Sequence, residues 1–259
     1  MNIRILVATH KKAPIPQEDI YRPIHVGKAL TDDDFGFEGD DVGDNISARN
    51  KSFCELTAVY WAWKNLSADY VGLVHYRRFF AKGLHLTTSG KFHAALSRRD
   101  FERLLGRADV VLPCRRHYWV ETTRGQYEHA HNPHDMAVCE QVISERHPEC
   151  LDAFRVVMGR TSGHRFNMFV MKRALFDDYC AWLFDILFEM ERRIDVSAYN
   201  AYNKRVFGFI GERLLDVWIE ARGVRYAEAN VYFLGRMNWL GKIYQFLKRK
   251  VRGGVDFEG

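Results

Sequence analysis

An α/β sandwich, with a mainly parallel or mixed central sheet flanked by helices, is the fold class that the sequence predicts. Three observations carry it. The chain opens on the apolar run Ile3 to Ala8, which empties into the polar stretch Thr9, His10, Lys11 and Lys12, the form of a first strand in an α/β fold. Tyr70 to Val74 is a short apolar run bounded by turn residues, as expected of a strand buried on both faces. Between and beyond these runs, helix-period and strand-like segments alternate.

Taken in order, the segment after Lys12 is rich in Gly, Asp and Asn up to about residue 50, includes EGDDVGDN, and lacks periodicity. It reads as a long ordered loop, a class usually functional or mobile. Ser52, Phe53, Cys54 and Glu55 form an S-x-x-E capping box ahead of an apolar face of Phe53, Leu56, Val59, Tyr60, Trp63 and Leu66. Asn65 to Asp69 closes that helix before the Tyr70 strand. Asp100 caps a short helix through Leu105, and Ala108 to Leu112 is a strand stopped by Pro113. Met136 to Arg146 and Pro148 to Met158 read as helices, the second with proline at its permitted first position. Phe166 to Met171 reads as a strand, Ala174 to Met190 and Phe209 to Ala221 as helices, and Val224 to Phe233 as one or two strands.

No internal repeat or linker interrupts this order, so residues 1–237 are expected to form one domain. Residues 238–259 form a basic tail in which Trp239, Ile243, Phe246 and Leu247 fall at helical spacing with lysines and arginines opposite. That pattern fits either a terminal helix docked on the domain or an amphipathic element on an anionic membrane surface.

Composition narrows the class. Of 259 residues, 47% are hydrophobic and 27% charged, which favours neither disorder nor a membrane-spanning chain. No apolar run approaches the roughly 18 residues of a spanning helix, and the N-terminus lacks the pattern of a signal peptide. The excess of 38 basic over 33 acidic residues, +5, is too mild for a nucleic-acid binder but suits a polyanionic ligand or an anionic surface. Five cysteines without CxxC spacing argue against a disulfide framework and for a reducing compartment.

Ligands of open α/β sheets collect at the carboxyl ends of strands. That rule places Thr9, His10 and Lys11 at the mouth, and with them His75, Tyr76, Arg77 and Arg78 of LVHYRRFF. Arginine's planar fork matches phosphate oxygens, and a histidine or lysine adds charge for a diphosphate leaving group. The plainer alternative has Arg77 and Arg78 on opposite sides, one paired with a carboxylate and one facing water. Asp40, Asp41 and Asp44 offer oxygen ligands to a hard divalent cation, or form a turn-rich solvated loop. His129, His131 and His134 in YEHAHNPHD follow no zinc signature. In GFIGERLLDVW, Glu212 is expected in the first turn of a helix, where the dipole keeps a carboxylate ionised and fit to act as a general base.

The blocks ILVATHKK, IHVGKAL, GDDVGDNIS followed by FCELTAVYWAWKNL, YVGLVHYRRFF, FNMFVMKRALFDDYCAWLFDIL and RVFGFIGERLLDVWI span about residues 3 to 219. Together they resemble bacterial glycosyltransferase domains of capsule, exopolysaccharide and O-antigen assembly, a family that includes galactofuranosyltransferases. The resemblance implies a GT-A-like sandwich and a cytoplasmic enzyme, peripheral on the inner face of the membrane if the tail binds lipid. It implies transfer of galactofuranose or another hexose from a UDP-sugar to a lipid-linked surface glycan, with no nucleic-acid partner. Carried over by position, Thr9, His10 and Lys11 line the nucleotide site with Asp44 and Asn45 nearby. His75 to Arg78 occupy the place where many such folds carry D-x-D, so no metal cofactor is expected, a divalent cation being the subordinate reading. Inverting transfer with Glu212 as base follows, with Asn167 and Met168 shaping the sugar pocket and Tyr127, His129 and His131 meeting the acceptor. Two other classes compete: a non-catalytic glycan- or nucleotide-binding module, suggested by the absent D-x-D, and a histidine-based nuclease or phosphoesterase.

Overall fold

The computed structural model describes residues 1–83, 92–118 and 120–234. The tail expected at 238–259 lies outside them. The strands are β1 (Ile3–Thr9), β2 (Tyr21–His25), β3 (Glu38–Gly39), β4 (Tyr70–His75), β5 (Arg78–Ala81), β6 (Val110–Pro113), β7 (Arg116–His117), β8 (Ser162–Gly163), β9 (Phe169–Lys172) and β10 (Tyr226–Phe233). The helices are α1 (Asn50–Phe53), α2 (Leu56–Asn65), α3 (Arg98–Leu105), α4 (Thr123–Ala130), α5 (Pro133–Arg146), α6 (Leu151–Gly159), α7 (Arg173–Arg193) and α8 (Val206–Arg222).

Eight strands join in the order β3-β2-β1-β4-β5-β10-β6-β9, and β9 also pairs back onto β4. The sheet is mixed: β3, β2, β1 and β4 run parallel, β5 turns back against β4, and β9 runs antiparallel to both β4 and β6. β7 and β8 form a separate small pair. The carboxyl ends of β1, β2 and β4 therefore meet at one edge, where the chain also enters β9.

Side chains alternate between two apolar layers, which is why these strands read as nearly continuous apolar runs. Ile3, Ile5 and Val7 of β1 point into one core with Phe101 and Leu105 of α3, whereas Leu6 and Ala8 point into the other, larger core shared with α2, α7 and α8. Gly72 of β4 sits where β1 and β9 press closest: a Cβ there would come 2.7 Å from Val170 Cγ2 and 2.9 Å from the Phe169 carbonyl oxygen.

Several expectations are corrected. The stretch up to residue 50 contains the parallel strand β2, disguised by Pro23. Val26 N donates to Thr9 O at 2.9 Å, so by alternation Pro23 turns its missing N–H to the outer side, where β3 pairs only at Ile24 and His25. The Ser52 capping box does not form, because Ser52 lies inside α1, Cys54 takes φ 53°, and α2 starts afresh at Leu56 after Glu55. Ser97 is the N-cap of α3, with Asp100 as its capping-box partner three residues on. β9 begins at Phe169, because Phe166 and Asn167 turn at φ 78° and 51°. The segment after Val224 holds one strand.

Adding a side chain at the tightest strand crossing should strain the sheet. Gly72→Val is expected to lower the unfolding free energy by roughly 1–3 kcal/mol, the usual cost of overpacking a core, measured by urea denaturation. An unchanged midpoint would contradict the close approach of β9 to β4.

Candidate active site

The parallel register brings Thr9 beside His25 and Ala8 beside His75, so three neighbouring strands end together. Thr9 is fully buried, and its hydroxyl is used locally, donating to Lys11 O at 2.5 Å and accepting from Lys11 N at 3.2 Å. That turn throws His10 and Lys11 outward against Tyr76, whose ring meets His10 edge-on at 5.3 Å and lies 5.4 Å from Lys11 Nζ. His25 joins them, a residue the sequence reading missed along with its strand; it is buried against Phe35. Burial, then the nearby cations Lys11 and Arg205, depress the basicity of His10. Burial and Lys28 do the same to His25. Both shifts favour the neutral ring.

LVHYRRFF is a hairpin rather than a strand end. His75 pairs with Arg78 across a turn made by Tyr76 and Arg77. His75 Nε2 lies 2.5 Å from Phe166 O; a carbonyl only accepts, so Nε2 carries the proton. Arg77 is exposed at the tip. Arg78 is half-buried between aromatic rings, 4.6 Å from the centroid of Phe166 and 5.7 Å from that of Phe233. Its Nε is buried without a hydrogen-bond partner, and among the described residues no carboxylate lies within ion-pair distance of it. Burial lowers its pKa, and the more distant Glu55 and Glu212 carboxylates oppose that shift.

Beneath this cage three segments are clasped together. Asn167, 2% exposed, donates from Nδ2 to Glu55 Oε1 at 2.7 Å and to Gly208 O at 3.1 Å. Arg205 Nε donates to Cys54 Sγ at 3.2 Å. The three non-glycine residues with positive φ among the described residues, Cys54, Phe166 and Asn167, all belong to this clasp. Such backbone costs of order 1–3 kcal/mol per residue and persists only where its surroundings hold it. Gly208 and Gly211 let α8 approach; a Cβ at Gly211 would come 2.6 Å from Leu56 Cδ1.

Glu212 lies in the second turn of α8, not the first, since that helix begins at Val206. The dipole is thus not what keeps it charged. Its Oε1 accepts from Phe166 N at 2.5 Å, and its Oε2 faces Arg165 at 3.2 Å and Arg213 at 3.4 Å. Burial raises its pKa, but the two arginines and the Phe166 amide outweigh it and hold the carboxyl below its ordinary value. Arg165 and Arg213 both donate to Gln126 Oε1, and the Arg165 guanidinium lies 4.6 Å from the Tyr118 ring.

Other sequence-predicted residues fall elsewhere. Asp44 and Asn45 sit towards the far end of α2: Asp44 accepts from Tyr60 Oη at 3.1 Å and its carbonyl accepts from Asn65 Nδ2, while Asn45 caps its own loop through Asp41 O, Gly43 O and Ser47 N. Tyr127 is fully buried and donates to Asp135, so it presents no surface to an acceptor. His131 is buried against Tyr127, Tyr202 and Phe209, and burial followed by the Arg213 charge pushes its pKa down to about 4. Of the three, His129 alone reaches solvent, paired with Glu121 at 3.2 Å. Met168 is buried in the sheet core.

Among the described residues, no three His, Cys, Asp or Glu side chains gather in a way that could hold a metal ion. Asp40 is fully buried and saturated by the amides of Gly27 and Lys28 and the hydroxyls of Ser47 and Thr57. It ties the loop to α2.

No curated protein matches the chain. Among solved structures, the apo structure of the WbbM bifunctional glycosyltransferase superimposes with a TM-score of 0.82 at 32% sequence identity, over 91% of this chain and 46% of that one. The chain thus spans about half of that protein. Its mixed sheet and flanking helices are those of a glycosyltransferase structure. Residues 4–223 match a domain of unknown function, DUF4422, and the chain belongs to that family.

Proposed function

We propose that the chain is a glycosyltransferase that moves a sugar, galactofuranose or another hexose, from a UDP-sugar to a hydroxyl of a lipid-linked surface polysaccharide with inversion. The observation that carries the reading is Arg78, a caged guanidinium without a carboxylate partner among the described residues, at the strand-end edge where α/β sheets bind ligands. The likeness to WbbM supports the class.

In this reading the nucleotide lies over the ends of β1 and β4, between His10, Lys11, His75 and Tyr76. The leaving diphosphate gains charge as the glycosidic bond breaks, and Arg78 meets that charge with donors already fixed in place. His10 and His25, whose basicity is held down, supply hydrogen bonds. The acceptor enters from the side of Tyr118, Gln126 and Arg165, with His129 at the rim. Glu212 has both carboxylate oxygens engaged, so we give it the role of holding Arg165 and the Phe166 turn rather than that of base.

Action on a lipid-linked glycan calls for a place at the cytoplasmic membrane face. None of the described helices is long and apolar enough to cross a membrane, and the basic segment 238–259 is the proposed contact with anionic lipid.

Two measurements test the reading. UDP should raise the melting temperature of the wild-type protein equally with and without a chelator; no shift under any condition counts against nucleotide binding, and a shift that needs a divalent cation counts against arginine in the metal's place. Arg78→Gln should weaken UDP binding about 10- to 100-fold in calorimetric titration, as expected for charge-assisted hydrogen bonds of about 1.5–3 kcal/mol. Wild-type affinity in that variant would remove Arg78 from the site.

A further inference from the structure

Two carboxylates act electrostatically on Arg78, and they differ in what their oxygens do. Those of Glu212 are taken by the Phe166 amide, Arg165 and Arg213. Protonating it would unpair two guanidinium groups, one of them, Arg213, only 4% exposed, and breaking a buried pair from one side is strongly unfavourable. Glu55 is held by one oxygen only: Oε1 accepts from Asn167 Nδ2 at 2.7 Å, and among the described residues Oε2 accepts nothing. The residue is partly exposed, directly precedes α2, and acts electrostatically on Arg78 and Arg205.

The backbone adds an independent reason. Cys54, immediately before Glu55, adopts φ 53° and ψ −133°, and the Asn167 amide that grips Glu55 is carried on the strained pair Phe166 and Asn167. The helix break at Cys54 and the turn before β9 both serve to fix one carboxylate. No core packing needs an acid there.

Resting on the sugar-transfer reading above, we propose that Glu55 is the general base, its free Oε2 taking the proton of the acceptor hydroxyl. The acceptor O–H bond breaks as the proton passes to Oε2, and the oxygen's electron pair forms the new bond to the anomeric carbon. On the opposite face the bond from that carbon to the β-phosphate oxygen breaks, and its pair leaves on UDP beside Arg78. Asn167 is the positioning residue: it occupies Oε1 and so presents Oε2.

The test is transfer from a panel of UDP-hexoses, UDP-galactofuranose included, to octyl glycosides, followed by UDP release over a range of pH. Glu55→Gln keeps the acceptor atom for Asn167. It should bind UDP as the wild type does in thermal shift, yet transfer about 10²-fold or more slowly, and lose the acid limb of the pH–rate profile. Formate should restore part of the rate in Glu55→Ala but not in Glu212→Ala. Glu55→Gln transferring within about threefold of an active wild type, or keeping the acid limb, would overturn the assignment while leaving sugar transfer standing. A wild type that binds UDP but transfers none of the panel would overturn the reading and the assignment together.

Discussion

The amide of Asn167 is the joint on which the site depends. It donates at once to Glu55, at the head of α2, and to the carbonyl of Gly208, in the first turn of α8, from a loop that itself enters β9. Remove it and three elements lose their common anchor at the edge where the strands end. The local conformations around it make sense only in company: Cys54, Phe166 and Asn167 each hold backbone that an isolated peptide would leave. Two glycines on α8 permit the approach that makes the joint possible. Folding energy from two large apolar cores is thus spent on fixing one small polar junction.

Above that junction the electrostatics are lopsided. Elsewhere many arginines have carboxylate partners, as Arg98 has Asp19 and Arg173 has Asp177. Arg78 instead has aromatic faces, which attract a guanidinium but cannot accept its N–H hydrogen bonds. A cation treated this way remains available to an anion that arrives later. At the ends of β1 and β2, burial and nearby cations hold down the basicity of His10 and His25. In the acidic loop, Asp40 is buried and taken up by the amides of Gly27 and Lys28.

Much of the framework was legible because apolar periodicity is a tertiary signal written locally. β1, β4 and α7 are long or clean enough for their faces to show, and the mixed sheet follows from their alternation. β2 was not legible: five residues with an internal proline resemble a loop unless the neighbouring strand is known. The helix starts failed for a related reason. Capping chemistry at Ser52 was locally sound, but Cys54 breaks the helix for the sake of the clasp, so Glu55 passed for a capping partner when it is held by a residue 112 positions away. Glu212 looked like a first-turn acid because the helix extends back to Val206 through glycines. Tyr127 and Met168 show the other limit, since polarity in a short segment does not say which side chains the core will take. His10, Lys11, His75 and Arg78 were placed at one edge by the strand-end rule alone, and the registers of β1 and β4 put them there.

A crystal structure of the chelator-treated protein soaked with UDP tests the central claim most directly. The account predicts diphosphate oxygens within hydrogen-bond distance of the Arg78 guanidinium, at the ends of β1 and β4. A diphosphate bound away from those strand ends, or one that enters only with a divalent cation held by carboxylates, would contradict it.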